Sequence, residues 1–234
     1  MMTLQDIPDL AGPICFDLET VADPAAVPFL PKVTADARLK DQAKIDADIA
    51  KKKAKQVDGM ALNANTARIC ACGLAAMTEE GKLWSGALLV EPKQPEAVLL
   101  NMIWMALACK SHFITFNGSG FDVPMMMRRS MKHNCMPTVQ ISTGRYDQPP
   151  KGNHWDMLQV LGHYGQHSTG GLDCISQVML GETKAVEGAA ESKGVGKFWE
   201  AGDLEAIEKR AAQDAALTFK LWQKACNIYF IWKG

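Results

Sequence analysis

The sequence lacks a long uninterrupted apolar segment and a basic N-terminal region that leads into an apolar run. A membrane-spanning helix needs about 20 consecutive apolar residues, and no window of this sequence comes near that length. A secretion signal begins with positive charge, whereas the first residues carry Asp6 and Asp9. These absences argue against a membrane protein and predict a soluble, cytoplasmic one.

An excess of positive charge is also missing. The chain has 25 Lys and Arg residues against 26 Asp and Glu residues, which gives a net charge of −1. Proteins that bind nucleic acid mainly through bulk charge are usually basic. Any phosphate-rich ligand must therefore be bound by local clusters of residues or by metal ions.

The seven cysteines do not form a zinc-binding pattern. Structural zinc sites use pairs spaced as C-x-x-C with a second pair or histidine partners, and Cys70 and Cys72 do not supply this spacing. Most of the cysteines lie in apolar runs, including Cys15 and Cys109. The pattern favours reduced, buried thiols in a cytoplasmic protein.

The 234 residues, of which 47% are hydrophobic, suffice for one generous globular domain with an insertion. We therefore expect a single domain over residues 1–234. Three prolines interrupt the chain after the first strand, and residues 34–58 are rich in Ala, Lys and Asp with few apolar positions. This composition predicts a solvated helix or helical pair, so that residues 24–66 form a helical insertion or flap.

Hydrophobic periodicity predicts an α/β fold, with a mixed sheet flanked by helices. Strands are predicted over residues 14–20, 68–76, 82–91 and 112–117. Helices are predicted over residues 95–108, 121–133, 155–162, 171–181 and 203–229, the last with Asp203 as N-cap. Loops are predicted over residues 137–152 and 188–202.

Asp17 and Glu19 lie two residues apart in the first predicted strand and therefore project from the same face. Two adjacent carboxylates repel each other unless a cation lies between them. Hard divalent cations prefer oxygen ligands of this kind. A solvated strand end is the alternative interpretation, because a D-x-E pattern alone is common.

Asp122 follows a strand end that carries Asn117 and two glycines. The glycines allow close approach of backbone to a ligand, and the Asn117 amide is both donor and acceptor. The alternative is an ordinary N-capping aspartate. Asp214 lies in the C-terminal helix among alanines, whose small side chains allow another group to approach. An exposed mid-helix acid is the alternative there.

In order and spacing, these four acids resemble the DEDD-type 3′–5′ exonucleases, in particular the proofreading domain of family B DNA polymerases and its stand-alone relatives. The matching stretches are FDLET at 16–20, FNGSGFDVP at 116–124 and QDAALT at 213–218. Weaker similarity is present at 154–158 and 171–184. The resemblance covers nearly the whole chain apart from residues 24–66.

The resemblance implies a ribonuclease H-like fold and hydrolysis of phosphodiester bonds with two divalent cations, Mg²⁺ or Mn²⁺. It implies that Asp17, Glu19 and Asp214 hold one cation, that Asp17 also ligates the second, and that Asp122 supports the second through water. The side chains expected to contact the substrate are Thr20, Asn117, Phe121 and Arg128.

The substrate expected from the resemblance is single-stranded DNA or a frayed 3′ end. A short-RNA exonuclease and a catalytically weakened nucleic-acid-binding subunit of the same fold are the alternatives. Any role in proofreading requires a partner, for which a DNA polymerase or another replication or repair protein is expected.

One position departs from the family pattern. The family places a Tyr four residues before the last Asp, or a His five residues before it, whereas this chain has Arg210 and Lys209. Neither is a good base at neutral pH. Helical spacing puts Arg210 and Asp214 on one face, which predicts a salt bridge between them as the structural alternative.

Three other groups leave alternatives open. Arg128 and Arg129 could reach phosphates or lie on an exposed helix face. Lys51, Lys52, Lys53 and Lys55 could bind DNA as part of a flap or line a solvated helix. For Asp156, capping a short helix and organising the sheet edge is preferred over a role in the site.

Overall fold

The structure is a computed structural model, which describes residues 2–144, 151–167, 170–183 and 194–229. Within these ranges, one mixed sheet has the strand order β3-β2-β1-β4-β5. Its strands are β1 (Leu10–Ala22), β2 (Ala67–Thr78), β3 (Leu83–Leu89), β4 (Phe113–Thr115) and β5 (His154–Asp156). Strand β1 is central, antiparallel to β2 and parallel to β4.

The described helices are α1 (Gln42–Asp58), α2 (Glu96–Leu107), α3 (Asp122–His133), α4 (Met157–Leu161), α5 (Leu172–Leu180), α6 (Gly194–Ala201) and α7 (Leu204–Tyr229). The core residues of α2 and α3 pack on one face of the sheet, and those of α7 pack on the other. The expected α/β fold with a mixed sheet flanked by helices is confirmed. Among the described helices, none is long and apolar enough to cross a membrane.

Alternation along β1 decides which side chains meet α7. Phe16 and Leu18 lie in the cluster with α2 and α3, whereas Cys15 lies in the cluster with residues of α7. Because alternate residues of a strand share a face, Asp17 and Glu19 project towards α7. The sheet therefore presents both acids to the longest helix.

Most predicted elements are confirmed to within a few residues, and Asp203 accepts a hydrogen bond from the Ala206 amide, as an N-cap does. Two predictions are wrong. Residues 154–156 form β5, so the helix predicted over 155–162 begins only at Met157. The loop predicted over 188–202 contains α6, and residues 188–193 of that prediction lie outside the described residues.

All seven cysteines are free thiols, as expected. Five of them are buried, whereas Cys109 and Cys174 are exposed. The prediction that the apolar run around Cys109 buries its thiol is therefore wrong: this residue follows the last turn of α2, where the chain has left the core.

The insertion contains one solvated helix. No residue of α1 is buried, and the side chains of Lys52 and Gln56 donate to the carbonyls of Thr34 and Pro31 within the same insertion. Its end is attached to the core through buried Met60. The solvated character is confirmed, while the assignment of residues 1–234 to a single domain stays a prediction.

A buried ion network joins the end of β1 to α2 and α3. Arg129 is 1% exposed and pairs with Asp23, at 2.9 Å, and with Glu96. Lys132 and His133 add contacts to Asp23 and Glu96, respectively. Both alternatives for Arg129, contact with phosphates and an exposed helix face, are therefore wrong, because the side chain is buried and paired inside the protein. Arg128, one residue earlier, is exposed.

Candidate active site

Three carboxylates meet between the sheet and α7. One oxygen each of Asp17, Glu19 and Asp214 lie within 4.8 Å of one another. Asp17 and Glu19 come from β1, and Asp214 from α7. Glu19 and Asp214 are buried, and Asp17 is half-buried. Three carboxylates at this distance repel one another strongly as anions, so the arrangement favours a bound cation.

The close approach of α7 depends on a glycine opposite Asp17. Gly73 of β2 pairs with Asp17 in the sheet. A Cβ atom at Gly73 would lie 1.9 Å from the carbonyl oxygen of Ala211 in α7. Because no other residue fits this distance, Gly73 and the small Ala211 together let Asp214 reach the two acids of β1.

Asp122 lies beside β1. It does not belong to the group of Asp17, Glu19 and Asp214 that the described residues form. Strand β4 pairs with β1 only at Ile14 and Cys15. Further along β1, the Leu18 amide donates a hydrogen bond to Asp122 Oδ1 at 2.8 Å. This bond takes the place of a backbone hydrogen bond to a neighbouring strand. Burial of the carboxyl raises the pKa of Asp122 to about 7.

This raised pKa predicts a stability effect in the cation-free protein. Between about pH 4 and 7 the folded protein holds a proton on Asp122 that the unfolded chain has released, so stability falls as the pH rises through this window. Asp122→Asn removes this loss, and its amide oxygen can still accept from Leu18. At pH 8 in EDTA, we expect the variant to be more stable by on the order of 2–4 kcal/mol.

Urea unfolding at pH 4 and pH 8 measures this difference. The gain should be large at pH 8 and small at pH 4. Asp203→Asn, which changes an exposed capping aspartate, should show no such dependence on pH. An equal gain of Asp122→Asn at both pH values would contradict the prediction.

The loop that leads to Asp122 is fixed by Asp156. Its carboxylate accepts the amides of Asn117 and Ser119 at 2.8 and 3.0 Å, and also that of Leu158 at the start of α4. A Cβ atom at Gly118 would lie 2.1 Å from Thr115 Oγ1. The structural role expected for Asp156 is confirmed. Gly118 is needed because the backbone packs closely against Thr115, and not because a ligand approaches it.

The four side chains expected to contact substrate have different surroundings. Thr20 donates its hydroxyl to the Ala61 carbonyl at 2.6 Å. Asn117 is exposed, with a left-handed backbone at φ 66°. Phe121 is half-buried against the core, and Arg128 is exposed on α3. Their contacts with substrate stay predictions.

Arg210 lies at the same cluster. Its Nε donates to Glu19 Oε1 at 2.9 Å, and the side chains are 12% and 11% exposed. Glu19 is a partner that the sequence analysis did not consider, because helical spacing pointed only to Asp214. A guanidinium thus contacts Glu19 inside the cluster.

The donor set fits a hard divalent cation. Asp17, Glu19 and Asp214 offer carboxylate oxygens only, which are the ligands that Mg²⁺ and Mn²⁺ prefer. A softer metal such as zinc is usually held by thiolate or imidazole.

The chain matches a protein family along most of its length. Residues 61–229 match the family described as "Predicted 3'-5' exonuclease related to the exonuclease domain of PolB". The chain belongs to this family. The match begins after α1, so it includes Asp122 and Asp214 but not β1, which carries Asp17 and Glu19.

Archaeal DNA polymerases are more distant relatives. The chain is 29% identical over 119 residues to a DNA polymerase of Pyrococcus horikoshii, and 27% identical over 123 residues to DNA polymerase 1 of Pyrococcus abyssi. These matches cover 46% of this chain but only 9% and 15% of the two polymerases.

A solved structure shares the fold. The family B DNA polymerase of the hyperthermophilic archaeon Pyrobaculum calidifontis superimposes with a TM-score of 0.56 at 11% identity, over 93% of this chain and 25% of the polymerase. The expected α/β fold, a mixed sheet flanked by helices, is therefore shared with this polymerase.

Sequence reasoning missed one residue and one contact that shape the site. Gly73 lies inside a strand, where an isolated glycine often marks a close backbone approach, and that signal could have found it. The pairing of Arg210 with Glu19 joins residues 191 positions apart. No local sequence pattern predicts a contact between residues so far apart in the chain.

Proposed function

We propose that this exonuclease-family chain is a metal-dependent 3′–5′ exonuclease that hydrolyses phosphodiester bonds of single-stranded DNA or frayed 3′ ends. The observation that carries the proposal is the cluster of Asp17, Glu19 and Asp214. A neutral chain can bind a phosphate backbone at such a cluster when bound cations supply the positive charge.

Each acid has a distinct task in this proposal. Asp17, Glu19 and Asp214 hold the divalent cations, and Asp122 fixes the position of β1 through the Leu18 amide while supporting one cation through water. Two bound cations, Mg²⁺ or Mn²⁺, would activate the attacking water and stabilise the leaving oxygen. Exposed Asn117 and Arg128 are proposed to bind the substrate.

A single strand suits this cleft better than a duplex. The three carboxylates lie between the sheet and α7, and two of them are buried. A terminal phosphodiester has to leave base pairing to enter such a site. The relatives named DNA polymerase support DNA as the substrate and a polymerase or another replication or repair protein as the partner.

A second candidate function follows from the Arg210–Glu19 ion pair. A guanidinium paired with Glu19 would lower the affinity of the site for a metal ion. Arg210 also cannot act as the base that takes a proton from the attacking water. The alternative is a nucleic-acid-binding subunit with weakened catalysis, and short RNA is the alternative substrate.

One experiment separates these functions. Oligonucleotides of DNA and RNA, labelled at the 5′ end, are incubated with the protein and Mn²⁺, Mg²⁺ or EDTA. A ladder shortened from the 3′ end of DNA, absent in EDTA, is the expected result. Preferential RNA shortening supports the RNA enzyme, and binding without shortening supports the weakened subunit.

The lysines of α1 provide a further prediction. Lys51, Lys52, Lys53 and Lys55 are exposed on a helix without buried residues. Changing all four to Gln should weaken binding of single-stranded DNA and reduce the slope of log affinity against log salt by about 1–3, since each phosphate contact contributes about 0.7. The unfolding midpoint should change little.

Binding is measured by fluorescence anisotropy at several salt concentrations, with Ca²⁺ in place of Mg²⁺ to limit hydrolysis. A variant with Lys82, Lys93, Lys197 and Lys209 changed to Gln removes the same charge outside α1 and serves as the control. Equal salt slopes for the two variants would show that α1 does not contact the strand.

A further inference from the structure

The Arg210–Glu19 pair places a permanent positive charge inside the carboxylate cluster. The 2.9 Å bond runs from α7 to β1, and Glu19 lies in one group with Asp17 and Asp214. Both paired side chains are nearly buried. Water therefore screens this charge less than it would screen a surface pair.

A guanidinium has a specific electrostatic effect here. Without a cation, three carboxylates within 4.8 Å repel one another. Arg210 offsets part of this repulsion by neutralising Glu19, because a guanidinium is a cation that does not lose its proton in proteins. A divalent cation at Glu19 would face both this positive charge and an oxygen already engaged in a hydrogen bond.

We propose that Arg210 is a resident counter-ion of the cluster, which a divalent cation has to displace from Glu19 in order to bind. The proposal rests on the function proposed above, and it adds that Arg210 sets the affinity of the site for divalent cations. The site would stay neutralised at low divalent concentration and would load only when the cation concentration overcomes the ion pair.

A purely structural role of Arg210 makes a different prediction. A pair that only ties α7 to β1 would orient Glu19 for the cation, so removal of Arg210 would weaken metal binding or leave it unchanged. A competing pair gives the opposite sign, because its removal frees Glu19. The sign of the change in metal affinity therefore separates the two roles.

Isothermal titration of the whole protein with Mn²⁺ at constant ionic strength tests the proposal. Arg210→Gln should bind Mn²⁺ more tightly by roughly fivefold, which corresponds to the upper end of the range for exposed ion pairs; the pair here is largely buried. Arg210→Lys, which keeps the charge, should stay near the wild type. Lys209→Gln removes a charge from the exposed neighbouring position and controls for net charge.

The outcomes also separate this proposal from the proposed function. Unchanged or weaker Mn²⁺ binding of Arg210→Gln overturns the counter-ion role, even where the wild type degrades DNA. Tighter binding without hydrolysis by any variant supports the counter-ion role and overturns the nuclease. Absence of Mn²⁺ binding in both wild type and Arg210→Gln overturns both.

A measurement on the wild type covers the case in which the variants fail to fold. The Arg210 Nε–Hε group gives an NMR signal that can be assigned through bonds from its backbone. Saturation with diamagnetic Mg²⁺ should shift this signal upfield as its hydrogen bond to Glu19 breaks. A signal that does not move while Mg²⁺ binds would overturn displacement.

Discussion

Asp17→Ala is expected to lower the rate of hydrolysis by about a thousandfold or more, because electrostatic stabilisation at such a site usually contributes the largest single share of catalysis. Asp17 is the acid proposed to contact both cations. It faces α7 from the centre of the sheet, and a ligand atom of each of Glu19 and Asp214 lies within 4.8 Å of its carboxylate.

The fold should survive this change. Asp17 is half-buried, and the carboxylates of Glu19 and Asp214 repel its charge. Its loss therefore relieves repulsion in the cation-free protein. The unfolding midpoint in EDTA should be unchanged or higher than that of the wild type.

The measurement is the initial rate of shortening of a labelled single strand at saturating Mn²⁺, together with a thermal unfolding curve. Asp9→Ala removes an exposed acid near the start of the same strand and serves as the control for purification and net charge. A folded Asp17→Ala protein with the rate of the wild type would overturn the assignment of the active site.

Gly73→Val is the stability change with the largest expected effect, about 4 kcal/mol or more, since a core substitution of this size belongs to the extreme class of overpacking. Valine favours strands, so the local preference of β2 improves. The loss must then come from α7, because the new Cβ would lie 1.9 Å from the Ala211 carbonyl oxygen. Helix α7 has to move away, and Asp214 moves with it.

Chemical unfolding measures the loss, and Mn²⁺ titration measures the displacement of Asp214. Gly196→Ala is the matched control, because a Cβ atom there meets nothing within 4 Å, and alanine stabilises a helix relative to glycine by up to about 1 kcal/mol. If Gly73→Val retains the stability and Mn²⁺ affinity of the wild type, Gly73 does not determine the position of α7.

Periodicity in the sequence predicted most of the fold. The alternation of β1 predicted that Asp17 and Glu19 share a face, and the long periodic pattern over 203–229 corresponds to α7. These features could be predicted because burial on one face imposes a repeat on neighbouring residues. The insertion could also be recognised. Because no residue of α1 is buried, its sequence lacks the apolar stripe of a helix that packs on a core.

Other features could not be predicted in this way. Strand β5 has three residues, too few for a repeat to appear, and its buried sequence His154-Trp155-Asp156 merges with the following helix. The glycines of 188–202 suggested a loop, although α6 packs against β1 and α7 and buries Val195 in a hydrophobic cluster. Tertiary contacts, and not local sequence patterns, determine the secondary structure of β5 and α6.

The cluster also has a consequence for the order of events during synthesis. Its acids belong to β1 and to α7, and the Arg210–Glu19 pair joins residues 191 positions apart in the chain. Since the ribosome makes β1 long before α7, a nascent chain carries its first two acids without the third. The group of three carboxylates can therefore form only after α7 has emerged and docked on the sheet, so an unfinished polypeptide would lack the complete cluster.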